Sequence, residues 1–176
     1  MTTVILCFII ADFATGFFHW LEDTYALPSW PFNIGRDNIE HHRSPNIIGT
    51  MGNFVNRNLI SFCIAMVICG ILVFFGFPVW ICVLTALVGS MGNEVHAWNH
   101  RKKNNYLIEF IQDTAIVQTT KQHMRHHKAP YIESYCTILN INNAILDRIK
   151  FWRVLEWLLG ILRIKPKRGS EEREGF

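Results

Sequence analysis

The chain has 176 residues, enough for a single domain, and half of them are apolar. Charged residues make up only 18%, against roughly 25% in an ordinary soluble domain, and this deficit points to a membrane protein. The net charge of +3 is modest, and the basic residues lie beside apolar runs rather than among aromatic residues, which argues against nucleic-acid binding.

The first apolar segment, residues 4–20, is just long enough to span a bilayer as a helix. It lacks the basic start and the small-residue cleavage site of a signal peptide. Four residues share one face of such a helix because they are spaced at i, i+4, i+7 and i+11: Asp12, Gly16, His19 and Asp23. For Asp12, a hydrogen bond between helices and a direct metal role both stay open.

Residues 24–58 are polar and rich in proline and glycine, and we predict a turn-rich loop. This loop contains the adjacent pair His41 and His42. Adjacent histidines can share one site only if the local backbone lets both side chains converge, so the pair by itself is a weak metal signal.

Residues 59–77 contain no charged residue and form the clearest predicted membrane helix. A break at residues 76–78 is followed by a returning helix over residues 79–95, so the two are predicted to form a membrane hairpin. Near the end of the second helix, polar and small residues repeat the stripe of the first segment: Gly89, Asn93, His96 and His100. Two membrane helices therefore carry metal-competent residues toward the same end.

The basic residues that follow the hairpin indicate its orientation. Arg101, Lys102 and Lys103 mark the cytoplasmic side by the positive-inside rule. Tracing the chain backward places the loop of residues 24–58 on that side as well. All histidines are therefore expected at the cytoplasmic or equivalent membrane face.

The remaining chain is predicted to lie at the membrane surface. Residues 106–119 and 151–164 are predicted to be amphipathic helices, the first either at the interface or capping the bundle and the second at the interface, and residues 140–147 are predicted to be turn-like. The predicted membrane domain covers residues 1–165, and residues 166–176 are expected to be a charged, disordered tail. The fold expected is all-α and integral to the membrane, with about three transmembrane helices.

All eight histidines fall in four groups, which carry the functional prediction. The groups are His19 with Asp23, His41-His42, His96-x-x-x-His100 and His123-x-x-His126-His127. A zinc site needs three or four protein ligands, so two metals fit the count better. HExxH and GxSxG motifs are absent from the sequence. Two redox-active irons beside lipid suggest oxygen chemistry on an unactivated C–H bond, which no side chain can perform.

Several motifs in this order resemble one known family. They are DFATGFFHW at 12–20, EHHRSP at 40–45, HAWNH at 96–100 and HMRHHKAP at 123–130, with IQD at 111–113, YC at 135–136, Asn140 and FWRVLE at 151–156. They are similar to those of the integral-membrane lipid desaturases. That family includes plasmanylethanolamine desaturase, its carotenogenesis-linked bacterial relatives and the plastid palmitate Δ3-trans desaturase of phosphatidylglycerol.

The resemblance implies an enzyme with a non-haem di-iron centre that uses O2 and two electrons to desaturate a lipid chain. It implies nine metal ligands: His19, Asp23, His41, His42, His96, His100, His123, His126 and His127. Four further residues are expected to orient the imidazoles through hydrogen bonds: Asp12, Glu40, Asn93 and Asp113. The favoured product is the vinyl ether of plasmalogens, and the alternatives are a phosphatidylglycerol palmitoyl trans-desaturase or another acyl-lipid desaturase or hydroxylase.

The resemblance also implies a membrane phospholipid substrate and an external electron donor, similar to cytochrome b5 or ferredoxin. The expected location is a multi-pass position in the endoplasmic reticulum, a bacterial inner membrane or a plastid membrane. The chain departs from the family by a short N-terminal region, which suggests truncation, and by a compact loop before Glu40. A metal-binding membrane transporter or adaptor is the non-enzymatic alternative. A transporter would require polar residues at the bilayer midplane, whereas the histidines are expected at one membrane face.

Overall fold

The computed structural model describes residues 1–46, 48, 54–168 and 170. Its α-helices are α1 (Thr2–Tyr25), α2 (Ile34–Arg43), α3 (Phe54–Phe74), α4 (Val79–Ser90), α5 (Gly92–His100), α6 (Tyr106–Asp113), α7 (Thr120–His126), α8 (Asn140–Arg148) and α9 (Phe151–Ile161). A 3₁₀ turn at Pro31–Asn33 precedes α2, and one antiparallel bridge joins Val117 to Leu139. The predicted all-α architecture is confirmed for the described residues.

Within the described residues, two helical segments are long and apolar enough to cross a membrane. One is α1, and the other is Val79–His100, in which α4 and α5 are separated by a turn at Met91. The third predicted span falls on α3, whose apolar part, Asn58–Phe74, is shorter. Helices α3 and α4 pack together as the predicted hairpin. The number of spans and the side on which the histidines lie therefore stay predictions.

The outward faces of these helices are apolar. Their exposed large side chains include Ile5 and Ile10 of α1, Val67 and Ile71 of α3 and Leu87 of α4. Apolar surface shared by neighbouring helices is unusual in water and is the surface that lipid solvates. Helices α1 and α4 also pack together, and the histidine-bearing ends of α1 and α5 meet, because the ring centroids of His19 and His96 lie 5.2 Å apart.

Two stretches predicted as loops or turns are instead short helices. Helix α2 lies inside the predicted turn-rich loop, and α8 replaces the predicted turn at 140–147. Short polar helices are marginal on their own, so tertiary contacts must stabilise them. The Asn38 amide of α2 donates to Asp23 of α1 at 2.6 Å, and the Asn142 amide of α8 donates to Asp12 of α1 at 2.8 Å.

An aromatic core joins α1, α8 and α9. Its buried members are Trp20, Tyr25, Tyr135, Cys136, Leu146 and Trp152. Trp20 and Trp152 stack with ring centroids 5.8 Å apart, and Tyr135 meets Trp152 edge-on at 5.2 Å. Helices α6 and α9 lie within the two segments predicted to be amphipathic and are shorter than predicted.

Polar side chains hold the backbone of residues 133–138 from two sides. The Asn143 side chain of α8 accepts from the Cys136 N–H at 2.9 Å and donates to its carbonyl at 2.7 Å. Asp147 accepts from the N–H and the hydroxyl of Ser134, both at 3.1 Å. From α1, Asp12 accepts from the Ile138 N–H at 2.8 Å. This segment, called segment 133–138 below, is therefore rigidly placed against α1.

Replacing Asp12 with alanine should destabilise the fold by about 2–4 kcal/mol. The change leaves the Ile138 N–H and the Asn142 amide buried without their carboxylate acceptor. Asp12→Asn retains one acceptor oxygen and should cost less. Unfolding of the detergent-solubilised variants would measure the effect, and wild-type stability of Asp12→Ala would contradict the assigned role.

The C-terminal residues described by the structure belong to the helical bundle. The Lys167 N–H donates to the Thr24 carbonyl at 2.6 Å, and the Arg168 side chain is largely buried. At these two positions the chain is packed rather than disordered. The other residues of the predicted tail lie mostly outside the described residues, and the domain boundary at residue 165 stays a prediction.

Candidate metal centre

The first group of converging side chains is the five-histidine cluster. It consists of His41 from α2, His96 and His100 from α5, His123 from α7, and His127, which directly follows α7. One ring nitrogen from each residue lies within 4.8 Å of all the others. His123 is the central member, because its Nε2 lies 2.8 Å from His100 Nε2 and 3.1 Å from His127 Nε2.

The second group, the aspartate cluster, consists of His19 and Asp23 from α1, His42 from α2 and His126 from α7. Asp23 is its centre: one carboxylate oxygen lies 2.9 Å from His42 Nε2, and the other lies 2.9 Å from His126 Nε2 and 3.7 Å from His19 Nε2. The carboxylate is 2% exposed, so these four side chains meet in a nearly dry environment.

The two clusters adjoin and share their supporting helices. Ring centroids of His123 and His126 lie 5.7 Å apart, and those of His19 and His123 lie 6.4 Å apart. All nine predicted ligands are therefore brought together, in a five-plus-four arrangement.

Helical geometry explains how the residues divide between the clusters. Residues four apart on a helix point in the same direction, so each such pair serves one cluster: His19 with Asp23, His96 with His100, and His123 with His127. The adjacent pairs diverge. His41 and His127 enter the five-histidine cluster, while their neighbours His42 and His126 enter the aspartate cluster. The His123-x-x-His126-His127 motif therefore contributes to both clusters.

Backbone carbonyls orient two imidazoles of the aspartate cluster. His19 Nδ1 lies 2.9 Å from the Tyr135 carbonyl, and His126 Nδ1 lies 3.0 Å from the Glu133 carbonyl. A carbonyl can only accept, so these contacts place the hydrogen on Nδ1 and leave each Nε2 with a free lone pair. Both carbonyls belong to segment 133–138, which is why its rigid placement matters for the site.

The donor atoms fit metal ions better than they fit one another. Among the described residues, the Nε2 atoms of His19 and His126 and one oxygen of Asp23 are buried with no hydrogen-bond partner. In the other cluster, His123 Nε2 faces two imidazole nitrogens, yet it carries either one hydrogen or one lone pair and cannot bond well to both. A metal ion would accept lone pairs from several converging nitrogen and oxygen atoms at once, which these donor atoms cannot do for one another.

Burial also keeps three imidazoles of the five-histidine cluster neutral. Desolvation lowers the pKa of His41, His123 and His127 well below the ordinary histidine range, and the neighbouring imidazoles lower it further. Neutral imidazole is the form that binds metals. The donor set of imidazoles with one carboxylate suits iron, and also zinc or copper.

The four residues predicted to orient imidazoles have different surroundings. Asp12 makes no hydrogen bond to an imidazole among the described residues, because both its oxygens serve Ile138 and Asn142. Asp113 is exposed at the end of α6, and its neighbour Gln112 points inward instead. Asn93 donates to Ser61 at 3.0 Å, and Glu40 is half-buried and makes no hydrogen bond to an imidazole among the described residues.

Other residues perform the supporting role. Asn38 donates to Asp23 at 2.6 Å. A buried amide chain runs from Gln112 through Asn99, which lies on the ligand-bearing helix α5, to Gln118 and then to the Cys136 carbonyl. These amide residues lie close to the histidine motifs in the sequence. That proximity is the one signal that could have indicated their supporting role. The backbone carbonyls of Glu133 and Tyr135 could not be predicted, because every residue has such a carbonyl whatever its type.

Comparison with known proteins agrees with the site. A family model described as lipid desaturase domain matches residues 8–168. The chain is 30% identical over 183 residues to Fatty acid desaturase 4-like 2, chloroplastic, of Arabidopsis thaliana, an alignment that covers 93% of this chain and 61% of the relative. It is 28% identical over 189 residues to the plasmanylethanolamine desaturase of Myxococcus xanthus, covering 97% of this chain and 66% of the relative.

A third relative, plasmanylethanolamine desaturase 1 of Mus musculus, is 29% identical over 178 residues, covering 90% of this chain and 65% of the relative. The chain thus spans less than two thirds of the length of these three relatives. No solved structure matches it. The family match nevertheless includes all nine residues of the two clusters and confirms the resemblance drawn from the motifs. The chain belongs to the lipid desaturase domain family.

Proposed function

We propose that this chain is a membrane di-iron desaturase that uses O2 and two electrons to introduce a double bond into a lipid chain. The observation that carries the proposal is the pair of adjoining, buried ligand clusters at the ends of two apolar helices. The five-histidine cluster would hold one iron and the aspartate cluster the other. A single zinc ion would leave half of these ligands without a role.

Bound iron would supply the oxidising power toward an unactivated C–H bond that no side chain has. Over the whole reaction, the lipid loses two hydrogen atoms, and O2 combines with these, two electrons and two protons to give two water molecules. The chain itself holds the ligands at fixed positions, keeps the imidazoles neutral and excludes water. His42 and His127 are half-buried, so they mark where the centre comes nearest to the surface.

The favoured substrate is an alkyl ether phospholipid, which would yield a vinyl ether. Its support is the similarity to the plasmanylethanolamine desaturases of two distant organisms. The second candidate is desaturation of an acyl chain, such as palmitate in phosphatidylglycerol, and its support is the equally similar chloroplastic fatty acid desaturase 4-like protein. A hydroxylase would use the same ligands and differ in its product.

An external protein would supply the electrons, and we propose an acidic carrier similar to cytochrome b5 or ferredoxin. Five exposed cations adjoin the ligands of the five-histidine cluster: Lys102, Lys103, Lys121, Arg125 and Lys128. None of these five has an ion pair with another described residue, unlike Arg101, which binds Glu94 at 2.7 Å. Such a surface would steer an acidic partner toward the metals. The protein would be a multi-pass membrane protein, with this basic surface on the cytoplasmic or equivalent side.

The test is to express the chain in cells that contain alkyl ether phospholipids and phosphatidylglycerol but lack a related desaturase. A new vinyl ether is expected in the lipid extract, and a new trans acyl bond would select the second candidate. Purified protein should contain about two iron atoms per chain. Iron-free protein together with an unchanged lipid profile would contradict the proposed function.

A further inference from the structure

Arg168 joins three parts of the fold beside the aspartate cluster. Its guanidinium donates to the Thr24 hydroxyl at 3.0 Å, to the Tyr135 hydroxyl at 2.9 Å and to the Tyr131 carbonyl at 3.4 Å. It also pairs with Glu156 of α9. The side chain is only 13% exposed, so these contacts are formed largely away from water, where hydrogen bonds to a charged group are strong.

The groups that Arg168 holds all lead to the aspartate cluster. Thr24 follows Asp23 directly on α1. Tyr135 supplies the carbonyl that binds His19, and its ring centroid lies 5.0 Å from that of His126. The Tyr131 ring lies 4.9 Å from the ring of His42. Each of the four ligands of this cluster is therefore next to a residue that Arg168 contacts.

The five-histidine cluster has no such connection in the described part of the chain. Its five rings make no aromatic contact with Tyr131 or Tyr135, and none of its nitrogens bonds a partner of Arg168. Helices α2 and α7 carry members of both clusters, whereas α5 serves only the five-histidine cluster and α1 only the aspartate cluster. The two clusters thus differ in their contacts with the partners of Arg168.

We propose that Arg168 is a positioning residue for the aspartate cluster alone. The guanidinium is planar and rigid: Nη2 pairs with Glu156, while Nη1 donates to the Thr24 and Tyr135 hydroxyls and more weakly to the Tyr131 carbonyl. Its fixed charge is balanced by Glu156, which also accepts from Trp20 Nε1 at 3.2 Å and from Arg153 at 2.6 Å. The inference rests on the proposed function only in taking both clusters as metal sites.

The test is metal binding by the purified full chain, with Co(II) as a spectroscopic probe for iron. Wild type should bind two ions with two dissociation constants. In Arg168→Gln, one of these constants should rise about 10- to 100-fold, the usual effect of losing a group that supports a ligand, while the other stays unchanged. Arg168→Lys keeps the charge without the planar fork and should recover only part of the loss.

Combination with ligand variants identifies the weakened site. Arg168→Gln with His42→Ala should bind one ion as His42→Ala alone does, because both changes affect the aspartate cluster. Arg168→Gln with His100→Ala should weaken both sites. Arg153→Ala is the matched control, since Arg153 contacts the same Glu156 but is 51% exposed, and it should leave both constants unchanged.

Milder variants keep the proposal testable if Arg168→Gln does not fold. Thr24→Val and Tyr135→Phe each remove one hydroxyl acceptor of Arg168, and each should raise the same single constant. Equal weakening of both sites, or two unchanged constants in all these variants, would overturn the proposal. Wild type that binds two ions but desaturates no lipid would refute the proposed function and leave this inference standing.

Discussion

Replacing His126 with alanine is expected to lower lipid desaturation by at least about 100-fold. His126 is fully buried, its Nδ1 lies 3.0 Å from the Glu133 carbonyl, and its Nε2 lies 2.9 Å from Asp23. Its removal leaves the aspartate cluster with two imidazoles and one carboxylate. The variant should also bind about one metal ion fewer than wild type.

Lipid analysis of expressing cells gives the measurement, by comparing the new double bond in wild type with that in His126→Ala. The control is Met124→Ala on the same helix, because Met124 is 38% exposed and belongs to neither cluster. Equal amounts of the two variant proteins in the membrane would show that a loss of product reflects lost activity rather than a lower amount of protein. Wild-type product in His126→Ala would exclude this residue as a necessary ligand.

Replacing Gly16 with alanine is expected to destabilise the protein by about 1–3 kcal/mol and to weaken metal binding in the aspartate cluster. A Cβ at this position would lie 2.5 Å from Cys136 Sγ and 3.0 Å from the Cys136 N–H nitrogen. Segment 133–138 cannot easily yield, because Asn143 holds Cys136 through two hydrogen bonds. Helix α1 must therefore shift, and His19 would shift relative to the Tyr135 carbonyl.

Unfolding and metal titration would measure both effects of Gly16→Ala. Gly70→Ala is the matched control, because its Cβ would meet nothing within 4 Å and alanine favours a helix over glycine. Adding Cys136→Ala to Gly16→Ala removes the nearest atom and should restore part of the stability. If Gly16→Ala behaves like Gly70→Ala, the close packing of α1 on segment 133–138 is not needed for the site.

The side chains of the two clusters were predictable because their signal is local. A spacing of four residues on one helix places two side chains together whatever the rest of the fold does. This is true of His96 with His100 and of His19 with Asp23, and the structure places each pair in one cluster. The long apolar runs predicted helices for the same reason, since length and hydropathy are also properties of a continuous segment.

The supporting residues were not predictable from such patterns. The sequence favoured Asp12 and Asp113 as partners of imidazoles because carboxylates commonly have that role. In the structure, backbone carbonyls of segment 133–138 take it, and Asp12 acts one step away by holding that segment. A backbone carbonyl is present at every residue, so residue type cannot mark the two that face the site.

The sequence alone therefore determined which side chains could bind metals and that apolar helices would bring some of them to one end. The tertiary structure decided how these nine side chains divide into groups of five and four, because neighbours such as His41 and His42 point in different directions along α2. It also decided that Arg168 belongs to the site, a residue far from any ligand in sequence. Contacts between distant segments depend on how helices pack, and that packing has no local periodicity to reveal it.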